Sequence, residues 1–284
     1  MFADAYIDDV APWGDRSGAT DVSSISYRGT TALITGASAG LGEEFARQWA
    51  ERGADLVLVA RRLDRLQALA TDLGKTYGIT ATAIAADLTR PGAGAALRAE
   101  LQERGIGIQT LINNAGFGSH GAFLEQEPQQ IADMIQLNIG AVAELSRVFL
   151  PDLVADGRGA LVNVASAAAY QPTPAMAVYG ATKAFVLHLT EALAYENRRS
   201  PLRVLAVSPG PVSTEFFDVV GTRDAAVGRM ATPAQVVAAT RRALERRSTP
   251  PSVVAGLANH LSTLASRLVP RRVALTVAGH ALKA

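Results

Sequence analysis

A chain of 284 residues, 49% of them hydrophobic, is long enough to bury a full core as one α/β domain or two small ones. A formal net charge of +1 gives no reason to expect a nucleic acid or another polyanion as partner. The absence of cysteine excludes disulfides, thiolate chemistry and cysteine-based metal sites. His120, His188, His260 and His280 stand at no ligand spacing, so no metal site is expected.

Residues 1–28 show no clear period, include many small, polar or acidic residues and lack the apolar core of a secretory signal. They are expected to form a poorly ordered arm, or one that lies over a neighbour. Thr30–Thr35 then reads as a buried strand and Leu41–Arg52 as a helix. Leu56–Ala60 is a second strand, Arg62–Tyr77 a helix and Thr80–Ala86 a third strand. Pro91–Arg104 is a helix with its proline in the first turn, where no N–H is needed. Gln109–Asn113 is the fourth strand, Pro128–Leu150 a long helix and Ala160–Ala165 the fifth strand. Val178–Arg198 is a helix and Arg203–Ser208 the sixth strand. The longest uncharged run, Gly159 to Thr182, could span a bilayer by length, but Asn163, Gln171, Pro172 and Pro174 interrupt it. A strand, a loop and a helix start explain it better, and a cytoplasmic protein without a membrane span is expected.

Continuous apolar strands separated by helices indicate a parallel sheet covered on both faces. The expected fold is α/β, a doubly wound, Rossmann-like sheet in a single domain over residues 29–255. A C-terminal helical extension occupies residues 256–284. There Leu257, Leu261, Leu264 and Leu268 fall on one helical stripe, Pro270 breaks the helix, and Arg271-Arg272 opens a second apolar stretch from Val273 to Leu282. The expected role is structural, a helix laid on the core or across a subunit contact, whose removal lowers stability or disrupts assembly. The alternative is an amphipathic surface that meets a membrane or an apolar substrate donor.

Between the first strand and its helix runs Gly36-Ala37-Ser38-Ala39-Gly40-Leu41-Gly42. A helix N-terminus offers free N–H groups and the positive end of its dipole, which suits a pyrophosphate. Glycines let the backbone come close to such a ligand, though they also serve packing. The Gly-x-x-x-Gly-x-Gly spacing after Thr35 resembles the short-chain dehydrogenase/reductase family, classical type. The resemblance runs from about Gly29 to Leu244, and it implies a nicotinamide cofactor. Extended relatives that act as epimerases or dehydratases have a different glycine spacing and a larger C-terminal domain.

The second strand ends in Ala60-Arg61-Arg62, with no carboxylate to hold a ribose 2′-hydroxyl. Arg61 can meet a 2′-phosphate with charge-assisted bonds, and Ser38 can add a hydroxyl; the alternative is that Arg61 and Arg62 only open a solvated helix. The family resemblance also points to NADP(H). Ala39 departs from the basic residue that some NADP-preferring members carry. Asp87, followed by Leu88, can accept from the adenine amino group, or else cap a helix. The resemblance places Asn114, Ala115 and Gly116 beside the cofactor. It also brings Pro209, Gly210, Val212 and Thr214 over the nicotinamide and phosphates.

Tyr179 and Lys183 are four residues apart and share a helix face, and Ser166 lies just beyond the fifth strand. Reducing a carbonyl needs a hydride and a proton. A neighbouring ammonium should lower the pKa of the Tyr179 phenol, which then acts as general acid or base. Ser166 can hold the substrate oxygen. The set matches the family's catalytic residues in order and spacing. Asn138 matches a fourth member, implied to bend its helix and to hold a water in the proton relay. Glu215 to Met230 reads as a mobile substrate lid with Phe216 and Phe217 as apolar walls. The expected function is NADP(H)-dependent interconversion of a small, fairly hydrophobic carbonyl and its alcohol by a homo-oligomer, dimer or tetramer. The alternative is a non-catalytic NADP-binding sensor or interaction protein on the same fold.

Overall fold

The computed structural model describes residues 25–222, 228, 230–256, 259–261, 263, 265 and 269–283. Seven strands form one parallel sheet: β1 (Thr31–Thr35), β2 (Asp55–Ala60), β3 (Ala81–Ala85), β4 (Thr110–Asn113), β5 (Ala160–Val164), β6 (Arg203–Pro209) and β7 (Ser252–Ala255). Their order across the sheet is β3-β2-β1-β4-β5-β6-β7. The order reverses between β1 and β4, which opens a crevice beyond the carboxyl ends of those strands.

Helices α1 (Gly40–Glu51), α2 (Leu63–Tyr77) and α8 (Pro233–Leu244) cover one face of the sheet. Helices α3 (Ala93–Glu103), α5 (Val142–Asp156) and α6 (Ala177–Glu196) cover the other. The two cores share the strands by strict alternation. Ala32, Ile34, Leu56 and Leu58 point into the first core, and Leu33, Val57 and Val59 into the second. Each such Leu or Val, once buried, contributes about 1.5–3 kcal/mol. Two-sided burial explains why the strands read as unbroken apolar runs.

Several boundaries differ from expectation, each for a local reason. Residues 1–24 lie outside the described residues, but Ile25–Arg28 already belong to the packed structure. Ile25 is buried, the Ser26 amide donates to Arg158 O, and the Tyr27 ring meets Trp49 edge-on with centroids 5.6 Å apart. Pro91 stands before the N-cap Gly92 rather than in the first turn of α3. The long helix continues through Pro151 to Asp156, where Gly157 (φ 72°) ends it. It is built of α4 (Pro128–Ile135), a π-helical turn over Gln136–Ala141, and α5. Sequence reading did not assign α8 or β7. The signal for α8 was present: the Thr232 hydroxyl accepts from the Gln235 amide while the Gln235 side chain accepts from the Thr232 amide, and Pro233 fills the first helical position.

Helix α7 (Phe216–Val220) opens the segment after β6, and α9 (Arg271–Ala281) follows Pro270 near the C-terminus. Of the leucine stripe, Leu257, Leu264 and Leu268 lie outside the described residues, and Leu261 is exposed. Among the described residues no helix is long and apolar enough to cross a membrane, and no group of three His, Asp or Glu could hold a metal ion.

Candidate active site

A cleft of about 780 Å³ lies beyond the carboxyl ends of the strands, and most of the residues singled out from the sequence line it. At its floor the glycine turn joins β1 to α1. Gly36 adopts φ 66°, a left-handed conformation that favours glycine. A Cβ on Gly42 would stand 2.2 Å from Gly36 O, so only glycine lets α1 start this close to the turn. No side chain caps α1 at Ala39, which leaves its first-turn N–H groups open to an anion. Leu41 lines the cleft beside them. The Asn114 side chain donates to Thr35 O at 2.9 Å, and Thr35 Oγ1 accepts from the amides of Asn114 and Ala115. The Asn114 amide therefore holds the turn in shape.

The corner beside β2 is strongly cationic. Arg61 and Arg62 line the cleft with Ser38. Arg62 donates to Ser38 Oγ at 3.1 Å and to Glu215 at 3.0 Å, and Arg65 donates to Glu215 at 2.7 Å. The fold thus brings a carboxylate to a corner where the sequence around β2 shows none. Two guanidiniums hold Glu215 below the usual carboxylate range. Asp87 pairs with Arg90 at 3.8 Å, and Arg61 makes no ion pair among the described residues. Asp87 accepts from the Thr89 amide and hydroxyl, which hold its carboxyl low, and it lines the cleft with the buried Leu88. Asp87 caps no helix, since α3 starts after Gly92 without a side-chain cap, and its second oxygen is the one that meets Arg90.

Ser166 stands at the end of β5 and accepts from the Ala168 amide, starting a short 3-10 turn over Ala167–Tyr170. Tyr179, in the first turn of α6, lines the cleft near the Ser166 hydroxyl. Lys183 is 6% exposed and donates to Val164 O at 2.8 Å. Its ammonium lies beside the Tyr179 ring, 5.9 Å from the centroid. The expected lowering of the Tyr179 pKa is not the net result: burial pushes the phenol up, only partly opposed by the nearby Ser166 hydroxyl. Burial also pushes the Lys183 ammonium down to about 8.

That lysine carries a pH signature. In an unfolded chain its pKa is near 10.5, so between about 8 and 10.5 the unfolded state binds more protons than the folded one, and this group's contribution to stability rises with pH. Below about 8 the buried charge weighs on the fold. Relative to Lys183→Met, the wild type should gain about 2 kcal/mol of stability between pH 7 and 9.5. Urea unfolding of both proteins across that range checks this; parallel profiles would contradict it.

Asn138 is fully buried in the π-helical turn. Its Oδ1 accepts from the Phe117 amide at 3.1 Å, and its Nδ2 donates to Phe117 O at 2.9 Å and Thr182 Oγ1 at 3.0 Å. The helix is locally rewound as implied, but both amide hydrogens are committed to the protein. This side chain thereby fixes the loop after β4 against α6.

That loop contains a residue sequence reading missed. A Cβ on Gly118 would stand 2.9 Å from Tyr179 Cδ2 and 3.0 Å from Phe216 Cζ. Tyr179 and Phe216 themselves pack with centroids 5.4 Å apart. Gly118→Ala should therefore displace the Tyr179 ring and cut kcat about tenfold to a hundredfold, since small misplacements are costly. Unchanged kcat in a folded variant would show that the ring has room. Periodicity could not have flagged this loop glycine; only the packed ring does.

Pro209, Gly210, Val212 and Thr214 reach the cleft from the end of β6. Val212 bridges to Ala231, and Thr214 packs over Gly40. Gly116 lies between Asn138 and Lys183. Met176, Phe216, Phe217 and Val219 also line the cleft, with Phe216 packed on the Tyr179 ring. Asn259, Ala278 and Leu282, from the C-terminal segment, complete it. Asn259 donates to Ala255 O and lies flat on Gly210, where a Cβ would be 2.3 Å from its amide nitrogen.

A parallel doubly wound sheet with a glycine turn, a cationic corner and a Ser-Tyr-Lys set at its carboxyl edge defines a dinucleotide-dependent oxidoreductase site. The family model described as short chain dehydrogenase matches residues 30–225, and the chain belongs to that family. A short-chain dehydrogenase from Sphingobium yanoikuyae, solved in complex with NADPH, is 38% identical with a TM-score of 0.75, over 84% of this chain and 93% of that one. The bulky-bulky ketone specific alcohol dehydrogenase from Comamonas testosteroni is 33% identical with a TM-score of 0.70, over the same shares. Among curated proteins, inactive hydroxysteroid dehydrogenase-like protein 1 of Rattus norvegicus is 32% identical over 65% of this chain and 56% of its own length. The chain spans less than two thirds of the length of the curated relatives it matches.

Proposed function

We propose that the protein is an NADP(H)-dependent oxidoreductase that interconverts a hydrophobic ketone or aldehyde and its alcohol. The observation that carries this reading is that Ser166, Tyr179 and a buried Lys183, its ammonium 5.9 Å from the Tyr179 ring centroid, line one cleft at the open edge of the sheet. The residues present fit the cofactor: uncapped N–H groups at α1 suit the pyrophosphate, and Arg61, without an ion pair among the described residues, suits a 2′-phosphate. Lys183 uses one of its three N–H groups on Val164 O, and the others suit ribose hydroxyls. The NADPH complex of the Sphingobium relative supports the cofactor choice.

When bound, the reduced nicotinamide supplies a hydride to the carbonyl carbon. Ser166 donates to the carbonyl oxygen as negative charge develops there. Tyr179 gives that oxygen its proton. Burial, by raising the phenol pKa, keeps the proton in place at neutral pH, which favours the reductive direction. Oxidation needs the phenolate and gains as pH rises. The apolar wall of Met176, Phe216, Phe217 and Val219 favours a hydrophobic substrate, in keeping with the bulky ketones named for the Comamonas relative. The name of the rat relative raises the alternative of a binding protein without turnover. The intact Ser166, Tyr179 and Lys183 set argues against that here. Consumption of NADPH with a panel of aliphatic and aromatic ketones tests the proposal. Turnover with several of them is expected; tight NADPH binding without consumption across the whole panel would overturn it.

A further inference from the structure

We propose that the C-terminal helix α9 is the specificity-determining wall of the substrate chamber, held in place by His120. The proposal rests on the reading of the cleft given above. The family match ends at residue 225, so this wall lies outside it. Ala278, Ala281 and Leu282 line the same cleft as Ser166 and Tyr179, and Ala278 and Leu282 are 3% and 6% exposed. A helix that only lay on the outside of the core would not contribute to that cleft.

The latch is a single directed bond. His120 Nε2 lies 2.8 Å from Leu282 O. A carbonyl only accepts, so Nε2 carries the proton and donates. His120 sits on the loop between β4 and α4, which also carries Gly118 beneath the Tyr179 ring. The loop is itself pinned: the Gly121 amide donates to Ala175 O, and Gln126 donates to Gly121 O while its carbonyl accepts from Ser119. The end of the chain is thereby fixed to the segment that positions the general acid. Leu282, the residue that caps α9, lines the cleft that holds the reacting groups.

The test measures binding of a small and a bulky ketone to the NADPH-loaded protein by calorimetry, and kcat/KM for both where turnover occurs. Leu282→Ala should shift the preference toward the bulky ketone by about tenfold, and Leu282→Phe should shift it the other way. His120→Leu should raise KM for the ketone severalfold while kcat and the Kd for NADPH stay near wild type. His120→Gln, whose amide can donate to the same carbonyl, should recover most of that loss. Turnover with an unchanged preference in both Leu282 variants overturns this proposal alone. The preference shift in a protein without turnover supports the wall and overturns the enzymatic reading. No ketone binding to the complex overturns both.

Discussion

Tyr179→Phe should abolish turnover, by about a thousandfold or more, and leave NADPH affinity within a few-fold of wild type. The ring is partly buried and held by Phe216 at 5.4 Å and by the Gly118 backbone, and phenylalanine keeps all of those contacts. What disappears is the phenol hydroxyl, which lies near Ser166. Ser166 retains its bond from the Ala168 amide, so the geometry around it survives. Because the phenol holds its proton at neutral pH, its loss removes the proton source for the alkoxide rather than a binding contact. Steady-state reduction and NADPH titration measure the two effects separately. Activity within tenfold of wild type would show that another group carries the proton.

Arg61→Ala should weaken NADPH about a hundredfold and NADH no more than a few-fold. Arg62 and Arg65 are engaged with Glu215, and Arg62 also with Ser38. Arg61 lines the cleft and makes no ion pair with a described residue, which leaves its guanidinium for the ligand. A bidentate bond from a guanidinium to a phosphate is among the stronger polar contacts. Adenosine 2′,5′-bisphosphate should lose affinity in parallel with NADPH, because it carries the same phosphate. Equal losses for NADPH and NADH, or a wild-type preference for NADH, would refute this assignment.

Much of this was legible because the informative residues lie on periodic elements. The strands β1, β2, β4, β5 and β6 are buried on both faces, so they stand out as apolar runs whose ends mark the cleft. Tyr179 and Lys183 share a helix face by spacing alone, and the glycine turn is contiguous in sequence. The rest depends on contacts between distant segments. Glu215 reaches Arg65 across 150 positions, and His120 meets Leu282 across 162. Gly118 matters through a ring it does not adjoin in sequence. Neither period nor composition carries such pairings. The direction of the Tyr179 shift was misread for a related reason. Spacing shows that a lysine is near, whereas the depth of burial, which dominates, emerges only from the packed whole. The C-terminal segment was read as a structural prop, yet α9 ends with Leu282 in the cleft lining.

The central claim is that hydride passes directly between the nicotinamide and a carbon held opposite Ser166 and Tyr179. Reduction of a ketone with NADPH deuterated on one face or the other of nicotinamide C4, with the alcohol analysed by mass spectrometry and NMR, tests it most directly. The account predicts one deuterium on the carbinol carbon from one of the two labelled faces, and none there from deuterated water. Alcohol formed with deuterium from solvent at that carbon, or no alcohol formed while NADPH is bound, would contradict it.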